Sequence, residues 1–370
     1  MLIFVVPNNN FFMRHTILTF ASALTLFYAA GCCNVSYEYP YSAAHRGAHV
    51  DGLIPENSPA GVAMAARMGF QAFELDVRYT LDSVMVVMHD PTINRTMRRA
   101  SDYSVIEEKM KVSDYTFEDL RTNYVLASSD PELRTPIPTP AEILAAAKAA
   151  GITPILHNMH AEAYDLAHEM FGDDFFAFDV SYDAVKYARS LCNCRVLWDP
   201  GKADAASVIA RLDSLGGPCG VSSMSSDLLN AEFNSAIRGA GYDVQSSIFP
   251  CPKEMQCMAD GANIILSDFS LFPKDREPVK QECRRSVKLA AGDSLAFVAP
   301  FAEFGSVDIA GVFSGDVEIS VNGGAWTYPL SLEGETRMGG WRFHSAEPSI
   351  VIKAVSDANL SNLVFRAFAF

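Results

Sequence analysis

The sequence predicts an α/β chain, a (β/α)8 barrel followed by an all-β sandwich-like domain. Between about Tyr41 and Phe272, short apolar runs alternate with amphipathic helical stretches, the pattern of a parallel sheet with crossover helices. Eight such runs can be counted, the number that closes a barrel. After Pro278 the helical periodicity fades, and short apolar runs broken by Gly and Asn-Gly-Gly take over, as in a β sandwich. With 370 residues, 49% hydrophobic and 20% charged, the chain is long enough for one large domain plus a smaller one.

The expected barrel strands are Ser42–His45, Ala72–Val77, Ile155–Met159, Phe176–Val180, Arg195–Leu197, Gly220–Ser222, Asp243–Ile248 and Asn263–Ser267. The first helix starts at Pro59, with Ser58 as its cap and Gly69 after its end. Another covers Pro140 to Ala150, with Gly151 as its stop. The apolar run Val84–Met88 follows the second strand too closely for a parallel crossover, so it reads as an antiparallel return strand. A turn near Asp82 then brings His89 roughly level with Asp76. Pro91 to Thr139 is polar and reads as a loop or small helical insertion over the barrel mouth. The barrel is expected over 41–278 and the sandwich over 283–370, with Ser294–Val298, Val317–Val321 and Ile350–Val355 among its strands.

Residues 1–32 read as a leader. Arg14 and His15 precede the apolar run Ile17–Ala30, too short for a comfortable membrane span but suited to a signal peptide. Met13 stands where such a signal would begin. Ala29-Ala30-Gly31-Cys32 resembles a bacterial lipobox. The expectation is export, with Cys32 lipidated and the protein anchored to a bacterial cell envelope as a lipoprotein. The alternative is an ordinary cleaved signal and a secreted or periplasmic protein. In neither case does a transmembrane helix hold it. Eight cysteines are scattered without paired zinc spacing; export would permit disulfides, and Cys192-Asn193-Cys194 reads as a surface turn. The formal net charge of −15 excludes nucleic acid as a partner, because that needs a basic face. A small anionic substrate needs local positive charge, which a metal ion supplies.

Polar clusters fall at or near strand ends, where a barrel builds its active face. They are His45-Arg46-Gly47, Pro55-Glu56-Asn57, Glu74-Leu75-Asp76, Thr80-Leu81-Asp82 and His89-Asp90. Glu74 and Asp76, two apart, point the same way. Phe73, Leu75 and Val77 supply the helix-facing side, so the acids face inward. Two crowded carboxylates repel unless a cation joins them, and hard oxygens suit Mg²⁺ or Ca²⁺. His45 and His89 fit paired acid–base work on a phosphate. Arg46 can fork onto phosphate oxygens, and Asp90 can orient an imidazole. A lone histidine is more often structural; the joint occurrence with the acid pair points to chemistry.

These residues carry a resemblance. His45-Arg46-Gly47, Pro55-Glu56-Asn57-Ser58, Glu74-Leu75-Asp76-Val77, Thr80-x-Asp82, Val86-Val87-Met88-His89-Asp90-Pro91-Thr92 and Arg95-Thr96 resemble the glycerophosphodiester phosphodiesterase family in order and spacing. Weaker echoes follow at Ser181-Tyr182-Asp183 and at Gly261 to Asp268. The resemblance covers about 43 to 275 and leaves out the C-terminal segment. It implies a TIM barrel, His45 and His89 as acid and base, Glu74 and Asp76 as metal ligands, and a substrate or supporting role for Glu56.

Two departures stand out. The family carries Glu-x-Lys on the strand after the insertion, with the Glu as third metal ligand. Here the text is Ile155-Leu156-His157-Asn158-Met159-His160. One register, preferred, puts Asn158 at the ligand position and turns Ile155 and His157 toward the helices. The other puts His157 at the ligand position. The family's Trp-Thr is also replaced near Ser246-Ser247. The resemblance implies metal-dependent hydrolysis of a small phosphodiester, a glycerophosphodiester or related lipid headgroup. The rival is a phosphate- or polyol-binding barrel that has lost turnover because the third ligand is weakened.

Overall fold

The computed structural model describes residues 40–50, 52–157, 160–224, 227–248, 251–268, 271–273, 276–298, 305–321, 330–343 and 349–370. The leader and Cys32 lie outside them. All eight expected barrel strands form: β1 (Tyr41–Ala44), β2 (Ala72–Tyr79), β6 (Thr153–His157), β7 (Phe176–Asp179), β8 (Arg195–Trp198), β9 (Cys219–Ser223), β10 (Asp243–Ser247) and β11 (Ile264–Ser267). They pair in parallel in that order, and β11 returns to β1 through Tyr41↔Ile264, so the barrel closes. β3 (Met85–Val87), β4 (Met97–Arg99) and β5 (Tyr124–Leu126) lie off the ring. The helices are α1 (Pro59–Met68), α2 (Phe117–Asn123), α3 (Pro140–Ala150), α4 (Ala161–Phe171), α5 (Tyr182–Leu191), α6 (Ala205–Leu215), α7 (Ala231–Gly239) and α8 (Cys251–Ala259).

Alternation along each strand divides the packing. Ala43, Ala72, Ile155, Phe176, Phe178, Leu197, Ile264 and Leu266 fill the inside. Phe73, Leu75, Val77, Leu156, Ala177, Val196, Val221 and Val244 pack outward with the helices. Helix ends follow their capping chemistry. Ser58 Oγ accepts the Gly61 N–H at 3.0 Å, and Gly69 closes α1 in the left-handed conformation. Thr139 and Glu142 form a reciprocal capping box on α3, and Gly151 ends it.

The return strand is as expected. β3 runs antiparallel to β2, with Val77 opposite Val87. The Met88 N–H donates to the Asp76 carbonyl at 3.0 Å. Thr80-x-Asp82 is the turn device: the Thr80 hydroxyl bonds Asp82 at 2.6 Å and receives the Val84 N–H at 3.0 Å. Asp82 also accepts the Phe117 N–H at 2.9 Å, which docks α2. The segment after Pro91 is more than a loop. Ile93, Met97, Ile106, Met110, Leu120, Leu126 and Ile137 bury a small core of its own against Val86 and Met88, and β4 pairs with β5. Apolar residues spaced this widely give no periodicity, so the sequence hid them.

The C-terminal domain is all-β. β12 (Lys280–Leu289), β13 (Ser294–Val298), β14 (Gly305–Val321), β15 (Leu330–Phe343), β16 (Ser349–Ala354) and β17 (Ala358–Ala369) form an antiparallel sheet ordered β12-β17-β14-β16-β13, with β15 on the other side of β14. The sheet folds back on itself. The Phe297 ring from β13 stacks on Phe365 of β17 at 4.9 Å, and Lys280 Nζ donates to the Val298 carbonyl at 2.5 Å. Asp308 is fully buried beneath a two-pronged Arg366 at 3.1 and 2.6 Å. Arg276 ties the two domains by donating to the carbonyls of Ala369 at 2.7 Å and Arg67 at 2.5 Å. Cys192, Cys194, Cys219 and Cys257 are free thiols, and Cys194 is buried rather than on a surface turn. No helix among the described residues is long and apolar enough to cross a membrane.

Candidate active site

The site gathers at the C-terminal ends of β1, β2 and β6, with the residues after β3. Because β1 and β3 both pair with β2, His45 and His89 flank the strand that carries the two acids. His45 is buried just past β1, and its Nδ1 meets Asp268 Oδ1 at 2.8 Å. His49 Nε2 meets the same oxygen at 2.9 Å. Burial works to raise the Asp268 carboxyl, but the hydrogen bonds with His45 and His49 outweigh it and hold the group well below the usual carboxylate range. His89 is more open, and its Nδ1 meets Asp90 Oδ1 at 2.8 Å. Its carbonyl accepts from Arg78 Nε at 2.9 Å, which fixes the loop. A carboxylate on Nδ1 fixes the ring and leaves Nε2 for chemistry.

Behind His89 runs a line of alternating charge. Arg95 donates to Asp90 at 2.8 and 3.0 Å and to Glu56 at 2.6 and 2.8 Å. Glu56 in turn accepts from Arg46 Nη1 at 3.2 Å. Arg95 hydrogen bonds, against partial burial, hold Asp90 well below the usual range. Glu56 thus supports Arg46 and Arg95. Arg46 and Asn57 both have left-handed backbones (φ 52° each), as does Gly47 (φ 78°). A Cβ on Gly47 would lie 2.9 Å from the Gly61 carbonyl carbon, so the loop sits against α1 only because position 47 is glycine.

Glu74 and Asp76 face inward, as expected, and both are buried. Each has one oxygen committed to the protein. Glu74 Oε2 accepts the Arg46 N–H at 3.0 Å. Asp76 Oδ2 accepts from Asn57 Nδ2 at 3.3 Å and lies 3.4 Å from Arg46 Nε. The remaining oxygens turn to a residue that the preferred register had facing the helices. His157 Nδ1 lies 3.3 Å from Glu74 Oε1 and 3.4 Å from Asp76 Oδ1.

The register expectation is therefore corrected. Ile155 packs inside the barrel and Leu156 outside, so the inward parity of β6 falls on His157. Asn158 lies outside the described residues. Ile155 and Leu156 are both apolar, so the text alone gave no parity. The His157 ring stacks flat on Phe178 at 4.3 Å. Burial alone would lower its pKa; the facing Asp76 and Glu74 carboxylates outweigh that and push it up to about 10. Burial would likewise raise Asp76, but His157 holds it down at about 2.

A divalent metal fits this arrangement. Glu74, Asp76 and His157 each offer a ligand atom within 4.8 Å of the others. Glu74 Oε1 and His157 Nε2 are buried without a hydrogen-bond partner, which is costly unless something else satisfies them. The stretch around Ser246-Ser247, where the sequence departs from Trp-Thr, is polar and buried. Ser222 and Ser247 hydroxyls bond each other, and Gln245 Nε2 donates to Ser222 at 2.7 Å. Asp268 and His49 were missed as site residues, His157 was offered only by the second register, and Arg95 was named without a role. The sole advance signal for Asp268 was its place at the end of the closing strand.

Residues 45–214 match the model of the glycerophosphoryl diester phosphodiesterase family. The chain is similar to glycerophosphodiester phosphodiesterase 1 of Rattus norvegicus and of Homo sapiens, 36% and 35% identical over 98 residues, 25% of this chain and 26% of each relative. It is similar to a glycerophosphodiester phosphodiesterase of Bacillus altitudinis, 37% identical over 78 residues, 21% of this chain and 27% of that protein. The chain thus spans about a quarter of the length of the curated relatives it matches. A solved Silicibacter pomeroyi structure, assigned as a glycerophosphoryl diester phosphodiesterase, shares the fold at TM-score 0.50 and 18% identity, covering 64% of this chain and 92% of that one.

Proposed function

We propose that this barrel, which belongs to the glycerophosphoryl diester phosphodiesterase family over residues 45–214, hydrolyses small phosphodiesters by metal-assisted acid–base catalysis. The observation that carries the reading is the pair of oriented imidazoles. His45 is held through Nδ1 by Asp268 and His89 through Nδ1 by Asp90, on the two sides of the strand bearing Glu74 and Asp76. One imidazole takes the proton of the attacking hydroxyl, of water or of the substrate itself. The other protonates the leaving alkoxide. Glu74, Asp76 and His157 would hold the metal, which when bound supplies positive charge to the phosphoryl oxygens. Arg46, braced by Glu56, adds its own charge at the same mouth. The binding-only alternative rested on a weakened third ligand, and a ligating His157 would remove that premise.

The substrate class we propose is a glycerophosphodiester or related lipid headgroup. Export, with a lipid anchor on Cys32, belongs to the same proposal; the Ala29-Ala30-Gly31-Cys32 text supports it. Mass spectrometry of the mature N-terminus tests it, and an unmodified terminus downstream of Cys32 leaves a secreted protein. The test of the reaction is release of alcohol from a headgroup panel by metal-loaded protein. His45→Ala and His89→Ala should each lower kcat by on the order of 10²–10⁴ with the fold intact. Near-wild-type kcat in either variant refutes the assignment.

A further inference from the structure

We infer that His157 is the third metal ligand and that it turns the site toward borderline divalent cations such as Zn²⁺ and Co²⁺, away from Mg²⁺ and Ca²⁺. This rests on the metal-site part of the function proposed above. The donor set carries it. Glu74 and Asp76 each spend one oxygen on the protein, on the Arg46 N–H and on Asn57. Each turns its other oxygen to His157 Nδ1, at 3.3 and 3.4 Å. Glu74 is fully buried and His157 is 6% exposed, and Glu74 Oε1 accepts no hydrogen bond. Those side chains are aimed at one another's ligand atoms across a space that nothing else satisfies.

The set is two carboxylate oxygens and one imidazole nitrogen, all within 4.8 Å. Ca²⁺ asks for six to eight oxygens, roughly, and Mg²⁺ for an octahedral oxygen shell. Imidazole suits later first-row ions, whose affinity for nitrogen donors rises along the series toward copper and zinc. Three protein donors leave open positions for water and substrate, the form of a catalytic rather than structural centre. The Phe178 ring, stacked on His157 with an interplanar angle of 7°, holds the imidazole plane and shields it from water. The ring's other nitrogen, His157 Nε2, meets no hydrogen-bond partner.

The test uses the full chain, stripped with chelator and titrated with one metal at a time by calorimetry. Two other clusters, His45, His49 and Asp268, and His168, Asp173 and Cys192, can also take such ions, so Cys192→Ser is the background and the shift between it and its His157 variant is what is read. Zn²⁺ and Co²⁺ should bind at least about tenfold tighter than Mg²⁺, and Co²⁺ should give a visible ligand-field band. His157→Glu, which restores an all-oxygen set, should lower the Zn²⁺-to-Mg²⁺ preference by about tenfold or more. If that variant does not fold, proton NMR of the Co²⁺-loaded Cys192→Ser protein decides, through a strongly shifted imidazole resonance that His157→Gln lacks. Equal affinity for Mg²⁺ and Zn²⁺, unchanged preference in His157→Glu, or absence of the shifted resonance overturns the inference. Tight, His157-dependent metal binding with no cleavage of any diester would instead sink the proposed function and leave the ligand assignment standing.

Discussion

Replacing Arg95 by Ala should loosen the site in a measurable way. Arg95 is half exposed, at 50%, but it grips Glu56, whose side chain is only 10% exposed. It makes four charged contacts between 2.6 and 3.0 Å, two to Glu56 and two to Asp90. An exposed ion pair contributes about 0.2–1 kcal/mol, whereas breaking a buried one costs about 3–5 kcal/mol. Arg95 spans both regimes, and Arg46 still faces Glu56 after its loss, so about 2 kcal/mol of stability is expected to go. Denaturant unfolding measures it, and Glu56→Gln completes a double-mutant cycle with an expected coupling of about 1–2 kcal/mol.

The pH dependence has a definite sign. Burial raises Glu56, but Arg95 and Arg46 outweigh it and lower its pKa. A depressed carboxyl contributes stability that is complete above its unfolded value, about 4.3, and lost as pH falls through the lower folded value. The gap between wild type and Arg95→Ala should be constant near neutrality and close below about pH 4. In turnover, the freed Asp90 holds His89 less firmly, so kcat should drop about tenfold, less than for His89→Ala. Additive single effects, or a gap that widens in acid, would refute the network.

Two further outcomes follow from packing. Gly47→Ala should cost more than the roughly 1 kcal/mol of a left-handed alanine, because its Cβ would press on the Gly61 backbone; a thermal melt with kcat on the same sample should show both falling. Arg366→Ala should cost the C-terminal domain about 3–5 kcal/mol by stranding Asp308, with Asp308→Asn costing far less. Burial pushes Asp308 up to about 6 against the pull of Arg366. Its proton is therefore held more tightly in the folded state, and more tightly still without Arg366, so the Arg366→Ala deficit should shrink as pH falls toward about 6 and stay level below it. A deficit indifferent to pH would contradict this.

The sequence made the barrel legible because each strand carries its own signal. Turn residues bound each run, and Ser58, Pro59, Gly69 and Gly151 punctuate the helices as their caps require. The acid pair was legible because Phe73, Leu75 and Val77 left Glu74 and Asp76 only one direction. Parity failed at Ile155-Leu156, where two apolar neighbours fit either side of the wall. The partnership of His45 with Asp268 was hidden for a different reason. It joins positions 223 residues apart, and no local pattern encodes a contact made only when a ring closes. The small core after Pro91 was missed because its apolar residues come from turns and short strands, which have no shared period.

That contact ties the chemistry to the order in which the chain becomes available. His45 emerges at the start of the barrel, and the carboxylate that fixes its tautomer waits at the end of the last barrel strand. A chain still being made, or partly unfolded at β11, carries every other member of the site yet leaves its buried imidazole free to turn. The proposed hydrolysis would thus report on the seam between β1 and β11, and during refolding it should return with the sealing of that seam.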